Sequence, residues 1–256
     1  MSGPGRVGAR ATLVQIVADA RELAETAARA ALADLEAAID AHDTCTWVLT
    51  GGTTPVEAYR LLAGHDLRSA VEWGRVRIAM GDERCVPLDD PESSNWGQAA
   101  AALLDHVPIA DEQRLPIHGG LGAEAAAADY EAVLRRLPPA RPAAAAPRLE
   151  VMWIGVGPDG HCLSLFPGRP ELEVRERLVV PVHGAPKPPP DRVSLTLAAL
   201  TGVERLVVLA SGDSKAEAVA RARAGDQHLP VTRAIATVEG AGGMVRWLLD
   251  RAAAGG

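Results

Sequence analysis

The chain has 256 residues, room for one large domain or two small ones, and 48% of them are hydrophobic, enough for a sizeable core. A formal net charge of −7 argues against nucleic acid or an anionic membrane as the main partner. No apolar run approaches the roughly 18 residues of a membrane span, and the Gly-rich stretch Met1 to Arg10 reads as no secretory signal. Three cysteines, Cys45, Cys85 and Cys162, suit a reducing compartment better than a disulfide framework, so a cytoplasmic location is expected.

From Ala11 to about Ala41, apolar residues recur at Leu13, Ile16, Val17, Ala20, Leu23, Ala24, Ala27, Ala31, Leu32, Leu35 and Ile39. That three-and-four spacing predicts one long amphipathic helix, broken at most once. Thr44 to Leu49 is a β-prone strand. Thr50-Gly51-Gly52-Thr53-Thr54-Pro55 then turns into a helix over Val56 to Ala63, with Thr54 as N-cap and Pro55 at the first helical position. Such a turn is either an ordinary capped junction or an anion cradle built from free helix-start amides.

Arg75 to Met80 is the next strand, followed by Gly81-Asp82-Glu83-Arg84. Three consecutive charges usually form a solvated loop, but Asp82 and Arg84 share one side if the chain stays extended. Ser93, Ser94 and Asn95 precede a helix over Trp96 to Leu104 and serve either as caps or as ligand contacts. A helix over Gly122 to Leu137 leads to the low-complexity connector Pro138 to Pro147, which reads as a surface insertion rather than a domain linker.

Leu149 to Ile154 is a buried strand, and after it comes Gly155-Val156-Gly157-Pro158-Asp159-Gly160-His161-Cys162-Leu163-Ser164-Leu165-Phe166-Pro167-Gly168. Gly and Pro make this a tight loop at a strand's carboxyl end, where open α/β sheets place ligands. It matches the dinucleotide pattern G-x-G-x-x-G, but Pro167 and Gly168 curtail the helix that pattern requires. The next strand, ending in His183 and Gly184, lacks its acidic residue. A thiol nucleophile at Cys162 is disfavoured, because adjacent side chains point apart.

Leu178 to Val182 is a strand, and Pro186 to Pro190 around Lys187 form a stiff exposed flap. Arg192 leads Val193-Ser194-Leu195-Thr196, Glu204 to Ala210 is a buried strand, and Ser211-Gly212-Asp213-Ser214-Lys215 turns into a helix over 216 to 224. Lys215 in a first helical turn opposes the helix dipole, a conflict that a bound anion removes. Gly242 to Ala254 reads as an amphipathic C-terminal helix. Alternating strands and helices indicate an α/β fold, a mostly parallel Rossmann-like sheet with helices on both faces, in a single domain over 1–256.

Six segments in order resemble the 6-phosphogluconolactonase family: Thr50 to Pro55, Gly81 to Pro87, Ser94-Asn95, Gly155 to Gly168, Arg192 to Thr196 and Gly212 to Lys215. The departures are Thr50 and Thr53 in place of Ser, and Cys162-Leu163 where Thr-Ala is usual. The resemblance implies the fold shared by glucosamine-6-phosphate deaminase, ribose-5-phosphate isomerase and CoA transferases. It also implies hydrolysis of a phosphorylated sugar δ-lactone with neither metal nor other cofactor. His161 is then the general base, because imidazole titrates near the working pH. Asp159 either fixes its tautomer or holds a sugar hydroxyl, Arg84 serves the oxyanion or the phosphate, and Asp82 completes the catalytic set. Gly51, Gly52, Thr53 and Thr54, with Asn95, Gly157, Gly160, Arg192 and Lys215, are expected to bind substrate. A monomer or weak homodimer is expected. Two rivals stay open: a deaminase or isomerase of the same fold, with Asp82 as its base, and a non-catalytic sugar-phosphate sensor.

Overall fold

The computed structural model describes residues 12–142 and 144–256; the expectation for Met1 to Arg10 lies outside them. Seven strands form one parallel sheet in the order β1-β10-β9-β6-β2-β3-β5: β1 Leu13–Val17, β2 Cys45–Leu49, β3 Val76–Met80, β5 Arg114–Leu115, β6 Leu149–Gly155, β9 Val203–Ala210 and β10 Met244–Asp250. Helices α1 (Ala20–His42), α2 (Thr53–Ala63) and α7 (Pro230–Gly240) pack on it, as the α/β reading requires. Its centre is a stack of aromatic rings, with Trp47 edge-on to both Tyr59 and Trp153 and Tyr59 stacked on Trp153 at 5.6 Å. From β2 the chain moves outward to β3, and from β6 it moves the other way to β9. The sheet therefore has its topological switch point between β2 and β6, where α/β folds open a crevice.

A second, antiparallel sheet in the order β4-β8-β7 stands beside this crevice: β4 Asp82–Arg84, β7 Val179–Val182 and β8 Arg192–Leu195. Asp82 pairs with Ser194 and Arg84 with Arg192. The chain passes from β3 into β4 through Gly81, whose N–H donates to Leu49 C=O and whose C=O accepts from Leu195 N–H. A Cβ there would lie 2.6 Å from Leu163 Cδ2. So the charges of Asp82-Glu83-Arg84, expected as a loop, form a strand. The helix α4 (Ala123–Leu134) covers β7 and β8, and α6 is Ala216–Arg223.

Several expectations are corrected. The single helix from residue 11 is a strand, β1, and then α1. Asp19, the N-cap, accepts from Glu22 N–H while Glu22 reaches back to accept from Ala18 N–H, which sets the helix start. The C-terminal helix over 242–254 is mostly β10, inserted between β9 and β1, with only the short α8 (Arg251–Ala254) after it. Sheet pairing on both sides overrides the helical spacing of Trp247, Leu248 and Leu249. Helix α7 stands where no element was expected. The helix after the glycine pair begins at Thr53 with Gly52 as N-cap, so Thr54 is not the cap. The helix expected over 96–104 is α3 (Asn95–Ala99) running into a π turn over Ala100–Leu104. The flap over Pro186 to Pro190 is exposed, as expected, and Ala185 N–H donates to Pro190 C=O to close it into a loop.

Candidate active site

At the carboxyl ends of β2, β6 and β9 lies a cleft of about 300 Å³. One wall is the start of α2, with Gly51, Gly52, Thr53 and Thr54 on the cleft. Gly52 has φ +116°, a conformation that favours glycine, and no side chain among the described residues caps the helix. Its leading N–H groups and dipole therefore present a positive end. The Tyr59 hydroxyl holds this loop, accepting from Thr50 N–H and donating to Thr50 C=O at 3.1 and 3.0 Å. Gly51 cannot be larger, since a Cβ would lie 1.9 Å from Asn95 Oδ1.

Cations border the same space. Lys215 and Lys187 both line it. Burial pushes the Lys215 pKa down, and the charge of Lys187 pushes it further, against the pull of Asp159. Lys215 is carried by the turn Asp213–Lys215, whose approach is anchored where Asp250 accepts from Ser211 Oγ and Gly212 N–H. Arg192 is buried, its ring-facing guanidinium 5.9 Å from the centre of Phe166. Nε and Nη2 donate to Pro189 and Lys187 C=O, at 3.1 and 2.8 Å. Two of its donors therefore hold the flap that carries Lys187, a use the sequence does not reveal.

At the other end stands His161, mostly buried against Phe166 with ring centres 4.7 Å apart. Its Nδ1 is 2.5 Å from Asp159 Oδ1, which also accepts His161 N–H at 3.2 Å. A carboxylate on Nδ1 fixes the proton there and leaves Nε2 with a lone pair. Burial pushes the His161 pKa below its ordinary 6.5, although Asp159 and Asp82 pull it up, so the ring is neutral at pH 7. Burial raises the Asp159 carboxyl, but the hydrogen bond and charge of His161 outweigh it and hold that pKa low. Gly157 makes the pair possible, because a Cβ would lie 2.0 Å from His161 Nδ1 and 2.6 Å from Asp159 Oδ1.

The third side is β4. Asp82 is buried and accepts from Ser164 Oγ at 2.6 Å. Arg84 donates from Nη1 to Ser93 C=O, while its buried Nε has no hydrogen-bond partner among the described residues. Asn95 donates to Asp82 C=O, and its buried Oδ1 likewise has no partner among them. Both orphan atoms belong to residues that line the cleft. Leu163 lines it too, with φ +55°, unusual for a residue with a side chain.

Of the expected site residues, the cleft gathers His161, Arg84, Asp82, Gly51, Gly52, Thr53, Thr54, Asn95, Gly157, Arg192 and Lys215. Asp159 stands behind His161 rather than on the cleft. Gly160 is also off it: with φ +79° it turns the chain toward Leu229, and its C=O accepts Val231 N–H. Cys162 points into the core, where burial drives its thiol pKa up. Ser164 and Lys187 carry no signal of a role in the sequence, and Glu83 only an indirect one. Glu83 is fully buried and accepts from Arg84, Asn95 and Trp96 N–H and from Ser94 Oγ. Burial raises its pKa, and those four donors oppose the rise. Its signal was the alternation along Asp82-Glu83-Arg84, which turns the middle residue inward once the segment is extended. Among the described residues, no group of three or more His, Cys, Asp or Glu is placed to hold a metal ion, and no helix is long and apolar enough to cross a membrane.

The family model for glucosamine-6-phosphate isomerases/6-phosphogluconolactonase matches residues 18–247. A 6-phosphogluconolactonase of Streptomyces coelicolor is 41% identical over 244 residues, covering 92% of this chain and 91% of that protein. One from Mycobacterium tuberculosis is 39% identical over 248 residues, covering 94% and 96%. The solved structure of 6-phosphogluconolactonase from Trypanosoma brucei superposes with a TM-score of 0.83 at 28% identity, covering 96% of this chain and 98% of that one. A monomeric glucosamine-6-phosphate deaminase shares the fold alone, with a TM-score of 0.76 at 22% identity over 95% and 99%. The chain thus belongs to the glucosamine-6-phosphate isomerase/6-phosphogluconolactonase family.

Proposed function

We propose that the protein hydrolyses 6-phospho-D-glucono-1,5-lactone to 6-phospho-D-gluconate, the hydrolytic step of the oxidative pentose phosphate pathway. The observation that carries this is a neutral imidazole with a fixed Nδ1 proton on the same cleft as an uncapped helix start ringed by cations. The substrate's phosphate sits on the amides of Gly51 to Thr54, with Lys215, Lys187 and Arg192 supplying charge. His161 Nε2 takes a proton from a water as its oxygen adds to C1, and the carbonyl electrons move to the oxygen as an oxyanion. Arg84, which lines the cleft, faces that oxyanion with its guanidinium charge. The oxyanion then collapses, the C1–O5 bond breaks, and O5 takes the proton from the His161 imidazolium. The new carboxylic acid loses its proton to solvent. Asp159 holds the tautomer and Asp82 holds a sugar hydroxyl, while Asn95 shapes the cleft wall between Gly51 and Asp82 C=O.

The 41% and 39% identical lactonases support this substrate over the amino sugar of the deaminase that shares the fold. The protein acts as a single domain, as a monomer or weak homodimer in the cytoplasm, with neither nucleic acid nor membrane as partner. Its net charge and free cysteines support that setting. Assaying 6-phosphoglucono-δ-lactone and glucosamine 6-phosphate side by side tests the proposal. Acceleration of the first alone is expected. Turnover of the second alone, or binding of 6-phosphogluconate with the lactone decaying at its spontaneous rate, would overturn it.

A further inference from the structure

Glu83 sits on β4 between Asp82 and Arg84, yet its side chain turns away from the cleft into the protein and is 0% exposed. Each carboxylate oxygen is doubly used. Oε1 accepts Arg84 N–H at 2.7 Å and Asn95 N–H at 2.8 Å; Oε2 accepts Trp96 N–H at 2.7 Å and Ser94 Oγ at 3.0 Å. A buried carboxylate is expensive unless its acceptors are filled, and here all of its donors come from the two segments that carry Arg84 and Asn95. Asn95 in turn reaches two places. Nδ2 donates to Asp82 C=O, and Oδ1 lies where the Cβ of any residue larger than Gly51 would stand. One unbroken line of contact therefore runs from the glycine loop through Asn95 and Glu83 to Arg84.

We propose that Glu83 is a positioning residue: it sets the span between the glycine loop and the Asp82–Arg84 strand, and so matches the cleft to the distance between a substrate's phosphate and its reacting carbonyl. It touches no substrate. The inference rests on the lactonase reading of the cleft.

The test is Glu83→Gln, which keeps the shape but sets an amide NH₂ against two of the donors. The expected result is a fall in kcat/KM for the lactone of about tenfold to a hundredfold. The inhibition constant of inorganic phosphate should stay within threefold, because the loop amides are still present. Asn95→Ala added to Glu83→Gln should cost less than threefold more, since both act through one contact. Ser94→Gly, which frees a single lone pair of Glu83 and is well tolerated at the α3 N-cap position that Ser94 fills, is the milder companion should the first variant fail to fold. It should lower kcat/KM three- to tenfold, again with phosphate inhibition held. Folded variants with kcat/KM within twofold of the parent would overturn the proposal. So would losses at Glu83 and Asn95 that simply multiply, or phosphate inhibition that weakens in step with kcat/KM. Turnover of the lactone by the unaltered protein reports on the reaction separately, and phosphate inhibition reads the cleft without it.

Discussion

Arg84 and Arg192 are register partners across the β4–β8 ladder, and both residues line the cleft. Like charges directly opposite one another weaken a sheet. Burial lowers the Arg192 pKa and Arg84 lowers it further, while Asp82 pulls it back up. An anionic substrate would relieve that repulsion, which supports the proposed role of the pair at the substrate.

Arg84→Met should lower kcat and kcat/KM for the lactone by about ten- to a hundredfold, the equivalent of one charge-assisted hydrogen bond to the oxyanion. Its melting temperature should fall by no more than a few degrees, through the lost bond to Ser93 C=O. Arg192→Lys should not rescue activity, because one ammonium cannot span Lys187 C=O and Pro189 C=O as the guanidinium does. Steady-state kinetics beside thermal unfolding check both.

The pH dependence follows from His161. Its neutral form is the base, and burial places its pKa below 6.5. Activity is thus full at neutral pH and falls about tenfold per unit only as pH drops through that lowered value. Asp159 raises the His161 pKa, so Asp159→Asn should move the acid limb of kcat/KM to still lower pH. It should also lower kcat by about tenfold or more, because the Nδ1 proton is no longer held by a charge. An acid limb that moved upward would contradict this pairing.

Two glycines two residues apart make a matched test. A Cβ on Gly157 would lie 2.0 Å from His161 Nδ1, whereas nothing among the described residues lies within 4 Å of a Cβ on Gly155. Gly157→Ala should lower kcat by about a hundredfold through misplacing the ring. Gly155→Ala should leave it nearly unchanged.

Tyr59→Phe keeps the ring packed on Trp47 and Trp153 but removes the hydroxyl that bonds Thr50 N–H and C=O. Leaving those buried groups unpaired should destabilise the protein by about 1–3 kcal/mol, measured by urea unfolding.

Much of this was legible in the chain because its loops are punctuated by Gly and Pro after short apolar runs. Thr44 to Leu49 and Leu149 to Ile154 had one reading each, and their loops meet at the switch point. What failed depended on partners distant in sequence. β1 and β10 pair with each other across most of the chain, and neither Leu13 to Val17 nor Met244 to Asp250 announces that pairing locally. Glu83 looked like one of three solvated charges until β8 paired with its strand and α3 covered it. Arg192 carried a ligand role by resemblance, yet only the folded flap shows where two of its donors go.

In the proposed reaction His161 removes the proton from the attacking water. The measurement is kcat and KM of His161→Ala on 6-phosphoglucono-δ-lactone, corrected for spontaneous hydrolysis. A kcat lower by about a hundred- to ten-thousandfold is expected, with KM within a fewfold. A variant that turned the lactone over at the parent's rate would contradict it.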